Sequence, residues 1–368
     1  MEGPAPMSID LLYTDTEDAL RDSVRQLFAD RCPLELVVKS YDSPPPDFSG
    51  LWRTLSTELG LAGLLVPESL GGAGATVREA AVVMEEIGRS MAPVPFLSSA
   101  VLATVALTVA GDTETLPALA AGEVTAALAV PLSTAPWEVP AGVTSGSDGL
   151  TGQVTSVAGV AAADVLVVPV VGDEGVELHT VSTADAEVSP VLALDMTRPL
   201  ADVRFAGASS THVGTGSEVL AAALQTGAAL LASEQLGLAQ WCFETTLAYA
   251  KERKQFGRAI GSYQAIKHRL ADLWFEVGSM TTAARYAADT SARGDGDAAT
   301  AASLAQAFCS GAAVHAAEEC VQLHGGIGMT WEYPAHLFLK RAKSDQLAFG
   351  NAYKHRSRLA ALVDLPVT

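Results

Sequence analysis

The stretch EQLGLAQWCFETTLAYAKERKQFGRAIGSYQ, residues 234–264, decides how this chain folds. Its apolar residues predict the second half of a long buried helix, and Phe256-Gly257 predicts a sharp turn. A new helix is expected to follow, with Ser262 as its cap. A second stretch, QLHGGIG at residues 322–328, comes at the end of another predicted helix. A guanidinium at a helix end can bind a pyrophosphate, and glycines let a flat ligand approach the backbone closely.

Each of these two segments also has a purely structural interpretation. Arg253, with Lys251 and Lys254, can be a solvated helix end whose positive charge suits the helix dipole. Gly325 and Gly326 can simply end a helix as a glycine cap. Taken together, at this separation and on these predicted elements, the two segments indicate a ligand site far more specifically than either does alone.

The composition restricts the partners and the compartment. The net charge is −19 and no basic block is present, so nucleic acid and anionic membrane surfaces are disfavoured as partners. The apolar run at residues 96–111 is shorter than the roughly 20 residues that cross a bilayer. The cysteines show neither disulfide-like nor metal-binding spacing, which predicts buried thiols, no metal site and a cytoplasmic protein. They are Cys32, Cys242, Cys309 and Cys320.

The texture of the sequence changes twice and predicts three domains. Residues 1–123 are expected to be all-α, beginning with a helix opened by a capping box of Thr14 and Glu17. Residues 124–214 contain short β-prone runs between turn residues, which predict a small antiparallel barrel or sandwich. Residues 215–368 predict long helices with short loops, a four-helix bundle. The chain is thus an α+β multidomain protein.

The two segments together resemble those of the acyl-CoA dehydrogenase family of flavoproteins. VPESLGGAG at residues 66–74, WEYP at residues 331–334 and the α–β–α order of domains extend the resemblance over essentially the whole chain. The resemblance implies a tetramer in which FAD lies across a subunit interface. It also implies α,β-dehydrogenation of an acyl-CoA thioester: a glutamate takes the α-proton and the β-hydrogen leaves as hydride to the flavin. An acyl pocket is then expected between the N-terminal helices and the helix at residues 220–238.

The resemblance also assigns cofactor-binding residues on this sequence. Arg253 and Phe256 would hold the pyrophosphate and flank the cofactor of a neighbouring subunit, and Gln322 with the following glycines would receive its adenosine side. Further contacts are expected beside them. The full predicted set is Arg253, Gln255, Phe256, Tyr263, Gln264, Gln322, Gly325 and Gly326.

The catalytic base of the family is missing from its expected places. Phe349 falls where the family usually has the glutamate, and Gly227-Ala228 fall where a minority of members have it. The family's loop and strand beside the flavin ring are replaced by residues 132–139 and 156–158. The half of the flavin site that a subunit uses itself is therefore eroded, and the half that it lends to a neighbour is intact.

Three hypotheses follow. The chain is the subunit of a heteromer that completes the flavin site while its partner supplies the base. Alternatively, it is a self-sufficient homo-oligomeric acyl-CoA or acyl-carrier-protein dehydrogenase with a relocated base, for which Glu234 and Asp345 are the candidates. A third hypothesis is a flavin-free acyl-thioester-binding or scaffold protein. An electron-transfer flavoprotein is the expected electron acceptor in the first two, and a role in fatty acid or lipid metabolism follows from the resemblance.

Overall fold

The computed structural model describes residues 10–172 and 175–365. Helices, then strands, then helices follow one another along this part of the chain, and the predicted fold is confirmed. The first helix begins with the predicted capping box: the Glu17 amide donates to the Thr14 hydroxyl and the Thr14 amide to the Glu17 carboxylate. The glycine-rich stretch at residues 66–74 is a turn, in which the Gly74 amide donates to the Val66 carbonyl. The N-terminal helices are α1 Asp15–Arg31, α2 Leu34–Val37, α3 Ser49–Arg53, α4 Val77–Ser90, α5 Thr104–Ala110 and α6 Thr115–Ala120, with a π-helical segment Phe96–Ala103 leading into α5.

The middle region is a sandwich of two four-stranded sheets. Their strand orders are β1-β4-β5-β8 and β2-β3-β7-β6. Every pairing in them is antiparallel except β1 with β4, which is parallel, so the prediction of a wholly antiparallel domain was wrong at this pair. The chain leaves β1 for the other sheet and returns to β4 in the same direction. The strands are β1 Ala126–Leu128, β2 Val143–Gly146, β3 Gly149–Ala158, β4 Val165–Gly172, β5 Gly175–Ser182, β6 Glu187–Val191, β7 Leu200–Ala208 and β8 Thr211–Thr215.

Long helices form the C-terminal region. They are α7 Ser217–Glu252, α8 Gln264–Ala292, α9 Ala298–His324, α10 Ala335–Leu347 and α11 Ala352–Leu362. A hairpin of β9 Lys254–Gln255 and β10 Arg258–Ala259 joins α7 to α8. The prediction that Ser262 caps α8 was wrong. Its hydroxyl donates to the preceding Ala259 carbonyl, and Tyr263, the residue before the helix, provides no side-chain cap.

The core of the molecule joins the three regions around α7. Buried side chains of α4, the Phe96–Ala103 segment, β1, α7 and α9 belong to a single apolar cluster. Within the described residues, α7 is the one helix long and apolar enough to cross a membrane, and 78% of its most apolar window is buried inside the protein. All four cysteines are free and buried, as predicted.

Candidate functional site

The segment that follows α7 projects a phenylalanine into solvent. β9 and β10 pair with Gln255 opposite Arg258, and the turn between them has Phe256 at φ 51° and Gly257 at φ 79°. Both residues have a left-handed backbone conformation, which costs a residue with a side chain about 1–2 kcal/mol. The Phe256 ring is 92% exposed. The hairpin therefore presents a large apolar ring to solvent, and none of the described residues of this chain covers it.

The other predicted residues of this segment lie around the same hairpin. The Tyr263 hydroxyl donates to the Gln255 carbonyl at 3.3 Å, and the Arg258 guanidinium lies 3.9 Å from the Tyr263 ring centroid. The Gln264 amide lies 3.5 Å from the His268 ring. The Arg253 side chain makes no ion pair or hydrogen bond within residues 10–172 and 175–365, so its guanidinium is available to an anion.

The glycine segment at the end of α9 is open to solvent. The Gly325 amide donates to the Gln322 carbonyl, so a glycine does end the helix. Gly325 has φ 63° and ψ −138°, a conformation that side chains disfavour. A Cβ built on Gly325 or Gly326 would meet no atom within 4 Å. The backbone here can therefore accept close contact from a flat ligand.

The structure brings the two predicted segments to one end of the helical bundle. Tyr249, in the last turn of α7, packs its ring against that of His324, the last residue of α9, with ring centroids 4.4 Å apart and the planes tilted by 30°. His324 also meets Tyr333, whose hydroxyl lies 2.7 Å from Nε2. Sequence reasoning assigned no role to these three aromatic residues, although His324 and Tyr333 lie inside the quoted QLHGGIG and WEYP stretches.

These residues suit one side of an FAD molecule. The free guanidinium of Arg253 matches a pyrophosphate, and the exposed ring of Phe256 can cover a flat ring system. The open backbone at Gly325 and Gly326 leaves room for a nucleoside. All of these groups face outward from the chain, as a surface that completes a site on a neighbouring molecule would.

The two places where the family has its glutamate meet in the interior and are filled with apolar groups. Phe349 is fully buried, has φ 53°, and donates its amide to the Leu132 carbonyl at 2.8 Å. A Cβ built on Gly227 would lie 3.0 Å from Cζ of Phe349 and 2.6 Å from Cδ2 of Leu102. The Phe349 ring and the Leu102 side chain thus close over Gly227, and neither position offers a proton acceptor.

The two alternative base candidates are held in a buried ion-pair network. Arg198 donates to Glu234 and, at 2.5 Å, to Asp345. The guanidinium of Arg341, 1% exposed, donates to Glu234 and to Asp195. Two guanidinium groups therefore face three carboxylates in the interior. Burial, and next the neighbouring Glu234 carboxylate, raise the pKa of Asp345 to about 7.

A raised pKa is often a sign of a catalytic acid or base, but geometry argues against that role for Asp345. A cavity of about 110 Å³ lies between α4, the Phe96–Ala103 segment, the middle region and α7, where the acyl pocket was expected. Glu234 lines this cavity and Asp345 does not. Both oxygens of Glu234 accept hydrogen bonds from arginine, which leaves it a poor base.

A cavity of about 150 Å³ holds benzene, so the cavity of about 110 Å³ beside Glu234 is too small for a long acyl chain.

The sequence carried a signal for part of this network: Asp345 lies beside the charged run Lys340-Arg341-Lys343, which made an ion pair the alternative to a catalytic role for it. Arg341 and Asp345 are four residues apart on α10, on the same face as the buried Leu337 and Phe338. Opposite charges on an apolar helix face indicate a buried ion pair. Nothing local pointed to Arg198, which comes from the middle region of the chain.

Comparisons with known proteins give a consistent result. The chain matches the family models described as acyl-CoA dehydrogenase N-terminal domain, over residues 14–123, and C-terminal domain, over residues 214–363. It is 35% identical over 350 residues to the acyl-CoA dehydrogenase IpdE2 of Mycolicibacterium smegmatis, covering 95% of this chain and 99% of that protein.

Two solved assemblies have the same fold. One is the ChsE4–ChsE5 complex of Mycobacterium tuberculosis, with a TM-score of 0.87 and 27% identity over 98% of this chain and 100% of that one. The other is a variant of the Tcur3481–Tcur3483 steroid ACAD, with a TM-score of 0.84 and 28% identity over 95% and 98% of the two chains.

Proposed function

Because this chain belongs to the acyl-CoA dehydrogenase family, whose members are FAD-dependent oxidoreductases acting on CH–CH bonds, we propose that it is the flavin-site-completing subunit of a heteromer. Its partner is a homologous chain that carries the catalytic glutamate. This chain lends Arg253, Phe256 and the glycine turn to the partner's FAD. The partner removes the α-proton of an acyl-CoA thioester.

One observation carries this proposal: the Phe349 ring packs against Gly227, so both family positions for the base are occupied by groups that cannot accept a proton. A positioned general base contributes about 10²–10⁴-fold to a rate. A dehydrogenase that must remove a weakly acidic α-proton would lose most of its activity without that contribution. The relocated-base hypothesis is not favoured, because Glu234 is paired with both Arg198 and Arg341, and Asp345 lies against Arg198 outside the cavity.

The residues of this chain then have binding roles. FAD, when bound, supplies the hydride acceptor. Arg253 would neutralise pyrophosphate charge, and its guanidinium has five N–H donors in a planar fork for this purpose. Phe256 would exclude water from one side of the cofactor. Gly325 and Gly326 would contact the adenosine side through the backbone, with Gln255, Tyr263, Gln264 and Gln322 beside them.

The names of the similar assemblies suggest the substrate and the assembly. One of them is a steroid ACAD, and another is a complex of two different chains. We therefore propose an acyl-CoA with a bulky, steroid-like acyl group as the substrate of the heteromer, within lipid metabolism. A heterotetramer, an electron-transfer flavoprotein as electron acceptor and a cytoplasmic location complete the proposal.

Flavin stoichiometry tests it. The chain is expressed alone and together with a glutamate-bearing homologue, and FAD per chain is measured by absorbance and protein quantification. Alone, it should purify nearly colourless and show no dehydrogenation. With the partner, roughly one FAD per pair of different chains is expected, because each pair has one complete site. One FAD per chain in the pure single protein, with dehydrogenase activity, would overturn the proposal.

Single substitutions in the complex identify which residues of this chain hold the cofactor. Arg253→Ala should strip FAD from the complex, because the pyrophosphate loses a charge-assisted partner worth about 1.5–3 kcal/mol. Arg204→Ala is the matched control: Arg204 is an exposed arginine of the middle region and, among the residues that the structure describes, pairs with Glu187 alone. Equal FAD retention in both variants would show that Arg253 does not reach the cofactor.

A further inference from the structure

The two segments that would hold FAD have few contacts of their own to fix where they lie. Phe256 is 92% exposed, and a Cβ built on Gly257, Gly325 or Gly326 meets no atom within 4 Å. The segments follow different helices, α7 and α9, and are well separated in the sequence. Their relative position is therefore set by what lies beneath them, where those two helices end.

His324 lies beneath both. It is 2% exposed, and its ring centroid lies 4.4 Å from that of Tyr249 and 4.5 Å from that of Tyr333. The Tyr249 carbonyl accepts the 2.8 Å hydrogen bond from the Arg253 amide, the last bond before the chain leaves α7. His324 therefore packs against the helical turn from which the Arg253 segment emerges.

The hydrogen bonds of His324 fix its ring and enclose the glycine turn. Nδ1 lies 2.7 Å from the Cys320 carbonyl, which can only accept, so Nδ1 carries a proton. Nε2 lies 2.7 Å from the hydroxyl of Tyr333. His324 comes directly before the turn at Gly325–Met329 and Tyr333 comes after it. The hydrogen bond between His324 and Tyr333 therefore connects the two ends of this turn.

The proton on Nδ1 is also favoured by its surroundings. Burial lowers the pKa of His324, but the hydrogen bonds to the Cys320 side chain and carbonyl outweigh burial and raise it. The thiol sulfur of Cys320 lies 3.7 Å from Nδ1. The ring thus keeps its donor towards α9 and leaves Nε2 for Tyr333.

We propose that His324 and Tyr333 are positioning residues, which hold the Gly325–Gly326 turn in register with the Arg253 segment. Their effect on FAD rests on the proposed function, while their effect on the two segments concerns this chain alone. Both act through the backbone segments that they hold. Loss of the His324–Tyr333 hydrogen bond should loosen both segments together, although Tyr333 lies close to only one of them in sequence.

Two tyrosine-to-phenylalanine substitutions around the same imidazole test the proposal. Tyr333→Phe removes the hydroxyl that bonds to His324. Tyr249→Phe keeps the ring that packs against His324 and removes a hydroxyl that has no hydrogen-bond partner in the described part of the chain. His324→Phe keeps an aromatic ring and removes both hydrogen bonds. Amide hydrogen exchange is measured on the FAD-free chain at residues 253–259 and 325–331, with residues 228–239 of α7 as an internal reference.

Tyr333→Phe should speed exchange about 3- to 10-fold in both segments, the change expected from one lost hydrogen bond, and leave the α7 reference unchanged. His324→Phe should have a larger effect of the same pattern, and Tyr249→Phe none. Faster exchange at residues 325–331 alone, throughout the chain, or nowhere would overturn the proposal, because a positioning role requires the two segments to respond together.

The FAD content of the co-expressed complex separates this inference from the proposed function. Tyr333→Phe should weaken FAD retention and Tyr249→Phe should not. If the unsubstituted complex binds no FAD, the proposed function fails, and the exchange pattern still decides whether the two segments are coupled. If FAD is retained equally in all variants while exchange changes, His324 and Tyr333 do not position the cofactor site.

Discussion

Two phenylalanine-glycine pairs of this chain share one backbone conformation and differ in everything around it. Phe256 and Gly257 have φ angles of 51° and 79°, and Phe349 and Gly350 have φ angles of 53° and 90°. Phe256 is 92% exposed, whereas Phe349 is fully buried. A left-handed backbone is unfavourable for phenylalanine, so in each pair another constraint outweighs the residue's own conformational preference.

The constraint differs between the pairs. At the buried pair, the Phe349 amide donates to the Leu132 carbonyl and the ring closes over Gly227, so this phenylalanine is enclosed by its own chain. At the exposed pair nothing within the described chain covers the Phe256 ring. Stability is therefore expected to depend on the buried pair and its neighbours, and cofactor binding on the exposed pair.

Phe349→Ala should give the largest loss of stability. Truncating a fully buried phenylalanine removes apolar contacts and leaves a cavity, at a cost of about 3–5 kcal/mol in the free energy of unfolding. Phe256→Ala should change that free energy by no more than about 0.5 kcal/mol, as expected for an exposed position. Urea denaturation of both variants measures the contrast. Similar losses in the two would mean that Phe256 is packed in the isolated chain.

The buried ion-pair network should respond unequally to its two carboxylates. Glu234→Gln removes the carboxylate charge that Arg198 and Arg341 share and sets an amide donor against a guanidinium group, so it should cost about 3 kcal/mol by breaking two buried ion pairs. Asp345→Asn should cost less than about 1 kcal/mol, because the raised pKa already keeps much of the Asp345 carboxyl protonated near neutral pH.

The pH dependence of Asp345→Asn provides a second check with a definite sign. The pKa of Asp345 rises on folding from its ordinary value of 3.8 to about 7, so the folded state holds the proton more tightly. The stability contributed by this carboxyl is therefore present below pH 3.8 and is lost as the pH rises towards 7. The variant should lack that decline. A cost of Asp345→Asn that grows with pH over this interval would contradict the raised pKa.

Gly227→Ala should be moderately destabilising, by about 1–3 kcal/mol, because the added methyl group meets Leu102 and Phe349 at overpacked distances. Gly311→Ala on α9 is the matched control, since a Cβ built there meets nothing within 4 Å. There the same change should stabilise the chain by about 0.5–1 kcal/mol, as expected for glycine in a helix interior. Thermal unfolding of both variants measures the opposite signs. Stabilisation by both would show that the space over Gly227 is not closed.

The features that could be predicted from the sequence are the local ones. The Thr14–Glu17 capping box, the long helix through Glu234 and the glycine end of α9 each depend on residues within a few positions of one another. The positions of the missing base could be read from the resemblance, because Phe349 and Gly227 are single residues at fixed offsets from recognisable segments.

The features that could not be predicted depend on contacts across the fold. Arg198 reaches Glu234 and Asp345 from the loop before β7, and no spacing in the sequence relates these three residues. The closeness of Phe349 to Gly227 and of His324 to Tyr249 follows from helix packing, which no local pattern encodes. The predicted cap at Ser262 was wrong because the hydroxyl donates to the preceding Ala259 carbonyl instead of accepting from an amide of the helix.

Phe256→Gly should have the smallest effect on stability, with the opposite sign to Phe349→Ala. Glycine adopts a left-handed backbone without steric cost, and the exposed ring contributes little packing, so the variant should be more stable by about 0.5 kcal/mol after the larger entropy of its unfolded chain is counted. The same variant should lose FAD from the co-expressed complex. Denaturation of the isolated chain and flavin content of the complex are measured on one preparation. A loss of stability together with undiminished FAD would mean that Phe256 serves the fold of its own chain, and the exposed pair would then have the same role as the buried one.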